Sequence, residues 1–131
     1  MKAIILSAGQ GKRLLPLTRE VPKCLLPVDT DLPILSVQLQ AFERYGIHEV
    51  VVMVGFGAAK VEEFLNHHAP RTLKVRTRYN PFFETSNNLA TCWLALPEMR
   101  EDFILLNGDT LFEPTVLQKL LTAPLAPVTL T

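Results

Sequence analysis

Three short, evenly apolar runs constrain this chain most: AIILS at 3–7, EVVVMVG at 49–55 and DFILLNGD at 102–109. None alternates enough to leave one wet face, so each reads as a strand buried on both sides. Helical patterns lie between them. At 34–45, Leu35, Leu39 and Phe42 share a face with Ile34, Val37, Ala41 and Tyr45 beside them, and Gly46 ends the helix. At 58–68, Val61, Phe64 and Leu65 point inward while Lys60, Glu62 and Glu63 point outward. LKVRTRY at 73–79 alternates apolar and basic residues, which predicts a strand with a wet face or an edge strand. An almost wholly apolar helix is expected at 88–96, through Leu89, Ala90, Cys92, Trp93 and Leu96, capped by Thr85, Ser86 or Asn87 and stopped by Pro97. A short helix follows at 113–123, and PVTLT begins another strand. Strands and helices alternating in this way imply a mostly parallel central sheet with helices on both faces, a three-layer α/β/α fold.

The chain has 131 residues, 48% of them hydrophobic and 20% charged, enough for one domain with a real core and too apolar for a disordered tract. Lysine and arginine total 13 against 13 acidic residues, so net charge suggests no general affinity for nucleic acid or an anionic membrane. The two cysteines, Cys24 and Cys92, belong to no CxxC or Cys/His cluster, which argues against a zinc site or disulfide framework and fits a reducing compartment. There is no signal-peptide pattern, and no apolar run nears the ~20 residues of a spanning helix. A cytoplasmic domain is the expectation. Val128–Thr131 reads as a strand cut short without a covering helix, as expected of residues 1–131 being the N-terminal portion of a longer domain, truncated at its C-terminus.

In open α/β sheets ligands bind beyond the carboxyl ends of the strands, near the point where strand order reverses. The loop after the first strand, AGQGKRLLPLTREVPKCLLPV at 8–28, should lie there. Gly9 and Gly11 let backbone N–H groups approach a phosphate, and Lys12, Arg13, Arg19 and Lys23 supply charge opposed only by Glu20. Pro16, Pro22 and Pro27 stiffen the loop and reduce the entropy lost on binding. Two familiar phosphate motifs fail. Arg13 stands where a Walker A loop needs Ser or Thr, and Leu14 stands where a dinucleotide fingerprint needs its third glycine.

Asp109, in the turn after a buried strand, is placed to hold a divalent cation beside phosphates, since Mg²⁺ takes one or two protein carboxylates plus phosphate and water. It equally fits an Asn-Gly-Asp turn satisfying its own backbone. Asn80, Asn87 and Asn88 carry paired donors and acceptors suited to a base edge or sugar hydroxyl, and equally suited to a turn and a helix cap. Phe82, Phe83 and Trp93 are pocket or core residues. His48, His67 and His68 have no ligand spacing, and no GxSxG elbow supports a hydrolase.

Ala8-Gly9-Gln10-Gly11-Lys12-Arg13-Leu14, with Pro16-Leu17-Thr18 and Pro22-Lys23-Cys24-Leu25-Leu26-Pro27-Val28, resembles the signature of the sugar-phosphate nucleotidylyltransferases, and Asn107-Gly108-Asp109 resembles their metal-binding turn. The resemblance implies a Rossmann-like nucleotidyltransferase fold and a Mg²⁺-dependent reaction of a nucleoside triphosphate with a phosphorylated alcohol or sugar, releasing pyrophosphate. By position, Arg13 would stabilise the triphosphate and leaving pyrophosphate, with Lys12 helping. Lys23 would bridge the α-phosphate and the incoming phosphate, and Asp109 would bind Mg²⁺. Ala8, Gly9, Gly11, Lys12, Arg13, Asn80, Asn87 and Asn88 form the expected nucleotide-binding set. Ser86-Asn87-Asn88-Leu89-Ala90 is more similar to the cytidylyltransferases of phosphocholine and related phospho-alcohols than to hexose-1-phosphate enzymes, so CTP is the expected donor. The alternatives are a hexose-1-phosphate uridylyl- or thymidylyltransferase and a non-catalytic nucleotide-binding regulatory module. No second metal carboxylate or acceptor pocket of the family is matched before Thr131, so weak nucleotide binding and poor turnover are expected of this chain. Homo-oligomerisation is left open.

Overall fold

The structure, a computed structural model, describes all residues except Thr30, Leu125 and Thr131. The chain runs through β1 (Lys2–Ser7), β2 (Pro27–Asp29), β3 (Leu32–Pro33), α1 (Ile34–Arg44), β4 (Glu49–Val54), α2 (Ala58–His68), β5 (Lys74–Tyr79), α3 (Asn88–Leu94), β6 (Phe103–Asn107) and α4 (Pro114–Thr122). The main sheet has four strands in the order β5-β4-β1-β6, and every pairing is parallel. From β1 the chain builds outward through β4 to β5, then returns to add β6 on the opposite side of β1. Strand order therefore reverses between β1 and β6, and their carboxyl ends flank the switch point.

Alternate residues of β1 and β4 serve two cores. Ala3, Ile5, Val50, Val52 and Val54 meet Leu35, Leu39 and Phe42 of α1, Val61 and Leu65 of α2 and Leu117 of α4. On the other face Ile4, Leu6, Val51 and Met53 pack with Ala95 and with Cys92, Leu94 and Met99 on and after α3. The central strands are thus apolar at every position because both faces are covered, with about 1.5–3 kcal/mol gained per large side chain buried. At the opposite end from the switch point, the Arg76 guanidinium donates to Glu49 at 2.8 Å and to Glu98 at 2.7 Å, tying the turn after α3 to the sheet. Lys2 adds a second cation, 3.6 Å from Glu98.

The parallel three-layer arrangement is the one expected, and the helices fall within a few residues of their predicted limits. Three local readings change. The loop read at 8–28 is not wholly irregular: the stretch 8–33 holds two 3₁₀ turns, Lys12–Leu14 and Lys23–Leu25, and the small antiparallel pair β2–β3. β6 is half-exposed: Phe103 and Leu105 lie open while Ile104 and Leu106 pack inward, because among the described residues β6 is the sheet's edge and α3 covers mainly β1 and β4. Residues 128–130 form no strand. Val128 and Leu130 are exposed, and an apolar stretch without a partner strand has nothing to satisfy its backbone as sheet. Thr131 lies outside the described residues.

Candidate functional site

Where β1 ends, buried Ala8 is fixed by its carbonyl, which accepts from Phe56 N–H at 2.8 Å, and Gly9 opens onto the cleft. Gly11 adopts φ +70, a conformation L side chains rarely reach, and so turns the chain into the first 3₁₀ turn. The fully buried Thr18 donates its hydroxyl to the Gly11 carbonyl at 2.8 Å and fixes that turn from behind. Lys12 and Arg13 sit on the turn, exposed, and among the described residues they take part in no ion pair.

The second half of the loop is anchored to α2. Lys60 donates to the Glu20 carbonyl, and the buried Pro22 packs against Gly57. The second 3₁₀ turn then buries Cys24 and turns Lys23 toward Gly11, whose Cα lies against the lysine stem. Burial pushes the Cys24 thiol above its ordinary range, outweighing a hydrogen bond with Ser7, so it stays protonated and serves as packing.

Across the switch point, the turn Asn107-Gly108-Asp109-Thr110 follows β6. Gly108 N–H donates to the Leu6 carbonyl at 2.7 Å, so close that a Cβ on Gly108 would stand 2.6 Å from Ser7 Oγ. From α1, Gln38 Nε2 donates to the carbonyls of Asn107 at 3.2 Å and Thr110 at 2.9 Å. Asp109 is thereby held beside Lys23, whose Nζ donates to its Oδ2 at 2.6 Å.

Leu6, Ser7, Gly9, Gly11, Lys23, Asn88, Asn107, Gly108 and Asp109 enclose a cleft of about 160 Å³. That is below the ~300–1,000 Å³ of sites that engulf a whole small ligand, and its polar wall suits the phosphate end of one. Asn88 reaches it, donating to Asn107 Oδ1 at 3.1 Å. Asn87 caps α3 through its Oδ1, which accepts from Ala90 N–H at 3.2 Å. Asn80 is fully buried: its amide donates to Ser86 and Thr91, each at 3.0 Å, and its Oδ1 accepts from Phe82 N–H. Asn80 therefore shapes the segment leading to Asn87 and Asn88 instead of facing the cleft. Phe82 and Trp93 are exposed.

The donor set suits a phosphate-bridged cation. Among the described residues no group of three or more His, Cys, Asp or Glu could cage a metal. One accessible carboxylate at Asp109 is what Mg²⁺ requires when phosphates and waters complete its shell. Of the residues singled out in the sequence, Gly9, Gly11, Lys23, Asn88 and Asp109 line the cleft, whereas Lys12 and Arg13 do not, and Thr18 and Gln38 were not singled out. For Gln38 the signal was present, a lone polar residue on the stripe of Leu35, Leu39 and Phe42. No helix is long and apolar enough to cross a membrane among the described residues.

Residues 2–124 match the sequence profile of the nucleotidyl transferase family. The chain is 37% identical over 124 residues to the CMP-5'-(3-aminopropyl)phosphonate synthase of Streptomyces rubellomurinus, covering 95% of this chain and 19% of that protein. It is 34% identical to the UTP–glucose-1-phosphate uridylyltransferase of Haloferax volcanii, covering 86% of this chain and 44% of that one. The structure of the inositol-1-phosphate CTP transferase from T. maritima superposes with a TM-score of 0.74 at 27% identity, covering 91% of this chain and 47% of the other. The chain therefore spans less than half the length of each of these relatives.

Proposed function

The chain belongs to the nucleotidyl transferase family, and from that premise we propose that its cleft binds the triphosphate of a nucleotide, CTP by preference, with Mg²⁺ for transfer to a phosphorylated alcohol. An oxygen of the acceptor's phosphate attacks the α-phosphorus, and the bond from that phosphorus to the β-phosphate's bridging oxygen breaks. Pyrophosphate leaves with the electron pair. Such chemistry asks the protein mainly for position and charge.

The carrying observation is the convergence of Lys23 and Asp109 on one cleft at the switch point. Gly9 and Gly11 carry the backbone past the phosphates, with Ala8 fixed behind them. Arg13 and Lys12, exposed on the 3₁₀ turn that follows Gly11, stabilise the triphosphate and the departing pyrophosphate. Lys23 faces the α-phosphate and the incoming phosphate. Asp109 holds Mg²⁺, which when bound neutralises phosphate charge. Asn88, on the cleft wall, and Asn87, at the start of α3, meet the nucleoside, with Asn80 supporting their segment. The preference for CTP draws on the likeness to a CTP transferase and to a synthase of a CMP-linked product. A hexose 1-phosphate with UTP is the second reading, favoured by the likeness to a glucose-1-phosphate uridylyltransferase.

The test is pyrophosphate release with CTP, UTP, dTTP, ATP and GTP against phosphocholine, inositol phosphate and glucose 1-phosphate, paired with calorimetric titration of each nucleotide. Release with CTP and a phospho-alcohol supports the proposal. Release confined to UTP or dTTP with the hexose phosphate replaces it with the second reading. Nucleotide binding without release from any pair favours a non-catalytic nucleotide-binding module.

A further inference from the structure

Gln38 sits at the centre of the buried face of α1, fully enclosed, between Leu35 and Phe42. Helix formation and core packing give no reason for an amide there, since a leucine or methionine fits such a stripe. Its two neighbours across the gap are the carbonyl oxygens of Asn107 and Thr110, which only accept, so only the –NH₂ end can face them. Both N–H groups are then used, and Oε1 is left buried without a partner among the described residues. The fold commits an amide to the core and thereby places two donors on one turn.

Those two carbonyls bracket Gly108 and Asp109. The turn's backbone makes two hydrogen bonds of its own, Gly108 N–H to Leu6 O and Thr110 N–H to Asn107 O at 3.1 Å, while Lys23 and Asn88 bond only its side chains, at Asp109 Oδ2 and Asn107 Oδ1. Among the described residues Gln38 is the side chain that bonds the turn's backbone. We propose that Gln38 is a positioning residue for Asp109: by fixing the peptide groups on either side, it sets the carboxylate's direction and hence the cleft's affinity for a divalent cation. This rests on the reading of Asp109 as the cation ligand. Outer partners that orient a ligand in this way typically change metal affinity by about 10–100-fold when removed.

The experiment titrates Mn²⁺ into the protein with CTP present, following free Mn²⁺ by electron paramagnetic resonance, and separately titrates CTP without metal. It compares the unaltered chain with Gln38→Met, Gln38→Glu and Asp109→Asn. Met keeps the volume without donors, and Glu keeps the shape but turns an acceptor toward two acceptors. Expected is a loss of Mn²⁺ affinity of about tenfold or more in both Gln38 variants, with metal-free CTP affinity unchanged and circular dichroism showing folded protein. Wild-type Mn²⁺ affinity in Gln38→Met, alongside its loss in Asp109→Asn, overturns the role of Gln38 and leaves the cleft reading standing. Equal Mn²⁺ binding by Asp109→Asn and the unaltered chain overturns the cleft reading itself. A parallel loss of metal and metal-free CTP binding, or failure of both Gln38 variants to fold, makes Gln38 a general structural residue and overturns the proposal.

Discussion

Lys23 Nζ lies 2.6 Å from Asp109 Oδ2, joining residues 86 positions apart and closing the switch point between β1 and β6. Both side chains are partly exposed, so the pair is worth at most about 1 kcal/mol to stability. Its weight lies in placing an ammonium and a carboxylate within one cleft. On the proposed reading, Asp109 would hold the divalent cation and Lys23 would be left to meet phosphate. Lys23→Ala and Asp109→Ala are each expected to lower kcat by about 10²–10³, as when one preorganised charge contact is lost, while the thermal midpoint barely moves. Steady-state kinetics with the accepted substrate pair, beside a melting curve, decide it. Near-normal rates in both variants remove these two residues from the mechanism.

Gly108 is expected to tolerate no side chain. In Gly108→Ala the new Cβ would meet Ser7 Oγ at 2.6 Å and Ser7 Cβ at 2.7 Å, with the Leu6 carbonyl at 3.0 Å. β1 is the central strand and cannot yield, so the turn must move. The expected cost is about 1–3 kcal/mol in urea denaturation, typical of overpacking, together with weakened cation binding because Asp109 moves with the turn. Unchanged stability shows that the turn is not seated on β1 as described.

Acid should release the network at the far end of the sheet. Hydrogen bonds from Arg76 hold the Glu49 and Glu98 carboxyls below their ordinary value of 4.5, against an opposing push from burial. A carboxyl depressed in the folded state contributes stability above its unfolded pKa, and that contribution is lost as pH falls through the folded pKa. Stability is therefore expected to decline as pH drops below 4.5. Glu98→Gln should cost about 1–2 kcal/mol at neutral pH and flatten the acid decline. Urea midpoints measured from neutral pH downward test both, and an acid limb as steep in Glu98→Gln as in the unaltered chain refutes the assignment.

Much of this was legible in the sequence, for physical reasons that vary by residue. Val50 to Val54 sit between two layers of helices, so burial on both faces wrote itself into an unbroken apolar run. Gly11 was legible because a left-handed turn packed against the Lys23 and Thr18 side chains admits little else. The Asn87 cap was one of three candidates, and only the hydrogen bond to Ala90 selects it. Gln38 was not read because its meaning depends on which carbonyls the fold brings opposite it, 69 and 72 positions away. DFILL read as buried because composition reports what a strand can bury, not which neighbours it has.

That last difference leads to a prediction about Trp93, the only tryptophan in the chain. It is 69% exposed and shares an open face of α3 with Leu89, four residues before it, while Leu96, Phe103 and Leu105 are open as well. Exposed apolar surface of this kind binds hydrophobic dyes and invites association. Trp93 emission is expected close to that of tryptophan in water and readily quenched by acrylamide at low protein concentration. The double variant Leu89→Gln, Trp93→Gln should bind less anilinonaphthalene sulfonate while keeping its urea midpoint, because surface substitutions change stability by only about 0.5 kcal/mol. A blue-shift that grows with concentration would show copies of the chain covering this face. Blue-shifted, poorly quenched emission at every dilution would mean that Trp93 is enclosed within the monomer, contrary to the structure.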